Sequence, residues 1–272
     1  MVYAAQPAAL TPLRRNGPVK VIHDTWLVFE RQMLLLFRLP VRIVLTFVYP
    51  VTYLLIYAPM LKGALSSQGV TNYTEAYRVY VPGLLAFTAT LGGLSTGFIL
   101  LADIRSGVLE RTRVLPVSRT SLLLGRALRE VASLLLQGVA ITLLALPSGL
   151  RVGLGDLLLS YLLMALIALL TVSLSYALTI RIRNASTLGP ILGVAAQPVM
   201  LISGMLLPLT LAPLWMVEIA KVNPFYWATN GMRDLFAGDL TATSVWVSFV
   251  VVLALTALTM NWSLRLFARD VR

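Results

Sequence analysis

Six stretches of this chain stay apolar for about 20 residues each: roughly 41–61, 80–102, 121–147, 157–180, 188–207 and 245–266. About 20 residues is what a helix needs to cross the hydrocarbon core of a bilayer. Lipid offers the backbone no hydrogen-bond partners, so lipid-exposed irregular chain and open sheet edges are excluded there. The expected fold is therefore all-α and integral to the membrane, a six-transmembrane-helix bundle. Composition agrees. The 272 residues are 58% hydrophobic and 12% charged, whereas soluble domains run at about 45–50% and about 25%. There is no cysteine, which excludes disulfides and thiolate metal sites.

The net charge of +11 would point to nucleic acid in a soluble domain. Here the basic residues sit at the ends of the apolar runs, where they set topology. With the amino end inside, 17 of the 22 basic residues fall in inner segments and 5 in outer ones. The outer five are Lys62, Arg78, Arg151, Lys221 and Arg233. The expectation is a multi-pass protein of the cell inner (plasma) membrane with both termini cytoplasmic and no nucleic-acid partner. Residues 1–17 carry no continuous apolar core and read as a flexible cytoplasmic tail. No such core follows Arg14-Arg15 at once, which speaks against a twin-arginine signal.

Two segments are neither spans nor short turns. In 18–39, Val19, Ile22, Trp26, Phe29, Met33, Leu36 and Phe37 recur at helical spacing. That is the apolar face of an amphipathic interface helix, ended by Pro40. Lys20, Asp24, Glu30, Arg31 and Arg38 fall largely on other faces. Between the last two spans, pieces near 211–221 and 225–237 meet around Asn223-Pro224. With Trp215, Phe225, Tyr226 and Trp227, they read as a short re-entrant helical pair in the outer leaflet. Residues 40–272 then form one six-span domain.

The marks of membrane enzymes are missing. A zinc protease needs two histidines on one helical face, and the chain has only His23. The eleven acids are scattered, with no pair spaced for acid–base or magnesium chemistry. A Walker A loop needs Lys before Ser or Thr; the three lysines precede Val21, Gly63 and Val222. A charge at a helix centre costs about 2.5–3.5 kcal/mol on insertion scales, and the span centres hold almost none. Gln137, Gln197 and Asn261 remain, with scattered Ser and Thr. Such a route suits an amphiphile better than an ion, with energy supplied from elsewhere.

The most ordered polar segment is "DIRSGVLERTRVLPVSRTSLLLGRAL", residues 103–128. It offers an acid (Asp103), a turn (Gly107), the triplet Leu109-Glu110-Arg111, a Pro116-Val117-Ser118 corner, then Gly125-Arg126. In this order it resembles the cytoplasmic loop of ABC type-2 permeases, the membrane subunits of ABC exporters that include the daunorubicin-resistance type. "NPFYWATNGMRDLFAGD", residues 223–239, resembles that family's pattern before the last span. Asp103-Ile-Arg105-Ser-Gly107 departs from the family's frequent Glu-Arg/Lys-Glu-x-Gly, which bears on partner specificity. The Glu-Ala-Ala loop of ABC importers is absent.

The resemblance implies an ATP-driven exporter of a hydrophobic or amphipathic compound, drug or lipid-like. A polysaccharide or lipid-linked glycan exporter of the same fold is the alternative. Separate ABC ATPase subunits would bind ATP and magnesium, so this chain is no enzyme and has no cofactor of its own. A second permease chain, identical or paralogous, would complete the pathway within membrane lipids. Gly107, Leu109, Glu110, Arg111, Arg113, Val114, Leu115 and Pro116 would form a cytoplasmic coupling helix between spans two and three. Its apolar residues would make contact, and its charges would set register. Ser118 would cap the third span. For the pathway or mate interface the expected residues are Gln197, Ser203 and Met205 on the fifth span, with Phe47 and Tyr53 on the first.

Overall fold

A computed structural model describes residues 18–38, 40–64, 72–107, 118–194 and 196–269. Among them every regular element is helical. The helices are α1 (Pro18–Phe37), α2 (Pro40–Ala64), α3 (Tyr73–Arg105), α4 (Arg119–Ala145), α5 (Leu154–Ile182), α6 (Ala185–Gly189), α7 (Ala196–Ile202), α8 (Leu214–Val222), α9 (Pro224–Ala237) and α10 (Thr243–Arg269).

Five helical segments are long and apolar enough to cross a membrane: Tyr73–Arg105, Thr120–Ala145, Leu154–Ile182, Ala185–Ile202 and Thr243–Ala268. α2 runs for 25 residues and contributes the shorter apolar run Phe47–Tyr57. At 1.5 Å per residue, the 33 residues of α3 extend about 50 Å, so the helix outruns a hydrocarbon core of about 30 Å. Glu75 in its first turn and Arg105 in its last complement the helix dipole.

α5 is the centre, packed against α3, α4, α9 and α10. The approach to α3 is close because α3 presents Gly93 and Gly97 where α5 presents Thr171 and Ser175. The Ser175 hydroxyl donates to the Leu94 carbonyl (2.6 Å), and Thr171 donates to that of Ala89 (3.1 Å). Small residues that let backbones meet, plus hydroxyls that bond across, are how helices associate without a hydrophobic drive.

The fifth expected span, 188–207, takes a different form. α6 ends at Gly189, a π turn covers Pro190–Val194, and α7 ends at Ile202. Pro190 and Pro198 remove backbone donors, and Gly189 and Gly193 are weak helix formers, so the ladder breaks. Gly204, at φ 73°, then turns the chain back. The pair before the last span is helical, with Asn223 capping α9 through Phe225 N (3.0 Å) and Pro224 in its first turn. α9 ends on Gly238 at φ 81°, where Asp239 N reaches Asp234 O (2.9 Å).

Candidate functional site

The Arg-rich ends of α3 and α4 meet beside α1. α3 finishes at Arg105, and the turn beyond it holds Gly107, whose φ of 70° favours glycine. Leu109, Glu110, Arg111, Arg113, Val114, Leu115 and Pro116 lie outside the described residues. The described chain resumes at Ser118, whose hydroxyl accepts from Ser121 N (3.1 Å) and so caps α4.

α1 is bonded to that cap. The Asp24 carboxylate accepts from Ser118 N (3.3 Å), and the Ser121 hydroxyl donates to the Val21 carbonyl (3.0 Å). At Gly125 the helices almost touch: a Cβ there would lie 2.7 Å from Val28 Cβ and 2.9 Å from Thr25 O. The face of α1 turned to protein is thus Val21, Asp24, Thr25 and Val28. Val19, Ile22, Trp26 and Phe37 of the expected apolar face are exposed, as a lipid-facing stripe requires. Asp24, read from the sequence as part of the polar side, is buried.

Next to Gly125 on α4, Arg126 pairs with Asp103 of α3 (2.7 Å), and about one turn on Arg129 pairs with Glu130. Both arginines are only 9% exposed. Buried ions are costly unless paired, and losing one partner strands the other. This cluster borders two adjoining cavities of about 170 and 160 Å³. Phe47 lines the first.

Tyr53 belongs to an aromatic column. Tyr49, Tyr53 and Tyr57 follow one face of α2 at steps of four, with centroids 4.5 and 5.1 Å apart. Phe87 lies 5.6 Å from Tyr53, and Tyr80 lies 6.2 Å from Tyr57. Ser203 and Met205 are fully buried within this chain, in the turn after α7, whereas Gln197 is exposed. Among the described residues no three acids or histidines cluster as metal ligands do.

At the opposite end Arg233 holds three elements together. Its guanidinium donates to Val79 O on α3 (3.3 Å), Gly204 O in the turn (2.5 Å) and Asn230 Oδ1 on α9 (3.4 Å). Burial pushes it down to about 10, opposed by nearby Asp234, so it stays protonated at neutral pH. Gly83 lies beside it because any Cβ there would press on the Met205 carbonyl. Sequence reading missed the roles of Asp24, Arg129 and Arg233. The tyrosine column was visible as a spacing of four.

Long apolar helices around a buried centre, with a capped, ion-paired end where two of them meet an amphipathic helix, define a multi-pass membrane subunit. The chain belongs to the ABC-2 type transporter family, whose pattern matches residues 23–237. It is 26% identical over 220 residues to a putative transport permease, ycf38, of Porphyra purpurea, covering 80% of this chain and 75% of that one. It is 25% identical over 259 residues to the daunorubicin resistance ABC transporter permease protein DrrB1 of Streptomyces coeruleorubidus, covering 94% and 88%. It is 24% identical over 194 residues to a probable multidrug ABC transporter permease, YbhR, of Escherichia coli, covering 70% and 52%. All three are named as transport or transporter permeases.

Proposed function

We propose that this chain is the permease subunit of an ATP-driven exporter, and that it moves a hydrophobic or amphipathic compound outward across the plasma membrane. Two copies, or this chain and a paralogue, form the pathway. Each has six spans, with α2 as the first and both termini cytoplasmic. ABC ATPase subunits below bind ATP and magnesium. Gly107 to Pro116 is the coupling segment, and α8 and α9 are the outer re-entrant pair. Gln197, Phe47 and Tyr53 face the pathway or the mate; Ser203 and Met205 support that wall from within.

The observation that carries this reading is the mounting of the coupling segment. It leaves α3 at Gly107 and rejoins α4 at Ser118, and the Arg126–Asp103 pair ties those two helices beside it. α1 is hydrogen-bonded to the same cap. Motion delivered there by an ATPase reaches three helices together, as a hinge-type transition requires.

The test is co-purification with the partner ATPase, then Glu110→Ala and Arg111→Glu. Both variants should lower amphiphile-stimulated ATP turnover while thermal unfolding of the permease stays unchanged. Unaltered turnover in both removes the coupling role; failure of any ABC ATPase to associate removes the permease reading.

A second reading, export of a lipid-linked glycan, is favoured by one observation: the column of Tyr49, Tyr53, Tyr57 and Phe87. Aromatic faces bind the apolar faces of sugars. Stimulation of ATP turnover by a glycan-bearing lipid, abolished in Tyr53→Leu, would select it. Stimulation by uncharged drug amphiphiles alone would discard it.

A further inference from the structure

Among the described residues, two buried side-chain polar atoms have no hydrogen-bond partner, Arg129 Nε and Ser263 Oγ. A hydroxyl can rotate toward another acceptor. The Nε–H cannot, because it is fixed in the guanidinium plane and keeps its proton. A bare buried donor costs free energy until an acceptor meets it.

Arg129 borders both cavities at the Arg-rich end, and Leu36, Ile99 and Glu130 line both with it. The two chambers differ in character. One is also lined by Phe47, Leu134 and Leu136, and the other by Gln32, Asp103, Arg126 and Tyr176. An apolar chamber and a polar one thus meet at Arg129, the residue that carries the unpartnered donor. The polar chamber's 160 Å³ is roughly ten times the ~15 Å³ that one water needs on the same measure, so it has room for a small oxyanion. Asp103 and Glu130 already balance the two guanidiniums. A singly charged head is therefore tolerated better than a doubly charged one.

We propose that these chambers bind an amphiphile with a monoanionic oxyanion head, a phosphodiester or carboxylate. The head accepts from Arg129 Nε with Arg126 beside it, and the first part of the tail lies against Phe47, Leu134 and Leu136. α1 lies over the polar chamber through Gln32 and Leu35. This deepens the exporter reading by naming a charge class of cargo, and it rests on that reading only in calling the bound molecule cargo.

The test is equilibrium binding by the purified full-length chain in an uncharged detergent, with no ATPase present. The probes are radiolabelled lysophosphatidylglycerol, its zwitterionic lysophosphatidylcholine counterpart, and inorganic phosphate. Saturable binding of the anionic probe is expected, with the zwitterionic one weaker and phosphate a poor competitor. Arg129→Gln should weaken binding about tenfold or more, the loss of one charge-assisted bond. Arg129→Lys should weaken it similarly, because it keeps the charge but lacks the Nε donor. Should either variant unfold in a thermal scan, Ile99→Trp, which fills the junction of the chambers, should abolish binding instead.

Equal binding by the wild type and both Arg129 variants overturns the assignment of the head. Equal affinity for both lipids overturns the charge selection, and full competition by phosphate overturns the tail chamber. No saturable binding leaves water as the partner of Nε and overturns the proposal. None of these outcomes bears on whether an ATPase associates, so the two readings fail separately.

Discussion

The two ends of the molecule hold their arginines in opposite ways. At the Arg-rich end Arg126 and Arg129 are balanced by Asp103 and Glu130, and one buried donor, Arg129 Nε, is left without a partner. At the other end Arg233 is held by two carbonyls and an amide oxygen from α3, the Gly204 turn and α9. Ion pairs are strong but exchangeable, since a new anion can compete for either partner. Backbone carbonyls belong to the fold and cannot leave. The first end is held by exchangeable charges and the second by the fold's own carbonyls.

Arg233→Ala should have the largest effect, a loss of about 3 kcal/mol, because two carbonyl contacts to a charged donor vanish together. Thermal unfolding in detergent reads it, and a loss below that of the ion-pair variants would break the comparison. Gly125→Val should cost about 2–3 kcal/mol by overpacking α1 against α4. Faster proteolysis within residues 18–37 should accompany it, and unchanged cleavage would mean α1 is not docked as described.

Asp103→Asn should cost about 2 kcal/mol; the figure is held down because the Asp103 side chain is 32% exposed. Adding Arg126→Gln should recover part of it, and a double variant worse than the single would contradict the pairing. The smallest change is at a helix end. α5 ends on Arg183 at φ 53°, while α9 ends on Gly238 at φ 81°. Arg183→Gly should therefore stabilise by about 1 kcal/mol, read as a small rise in Tm.

Where the fold was legible, the information was local. Hydropathy over 20 residues located the long helices, and Ser118 and the Asn223-Pro224 step announced their caps. Gly107 marked a turn that no other residue fits as easily. The break at Pro190 was equally visible in Gly189, Pro190, Gly193 and Pro198, yet the apolar average across them concealed it. The pairings were not legible. Asp24 looks like a surface acid until α4 lies over it, because its partner is a backbone amide 94 positions away. Burial of Arg126 depends likewise on Asp103 arriving from another helix. The coupling segment remains what the family resemblance implies, since residues 108–117 lie outside the described set.

The interrupted segment Ala185–Ile202 bears on how the chain enters the membrane during synthesis. Its 18 residues and two prolines place it at the short limit for a span, about 17–25 residues. α5, which precedes it by two residues, is the most hydropathic helix of the set. The insertion machinery then receives a strong span followed at once by a weak one, and the pair is best released into lipid as a hairpin. The segment is tied to the later α9, whose Asn223 cap donates to Val199 O at 2.7 Å. The weakest span of the set is thus braced by a helix made after it.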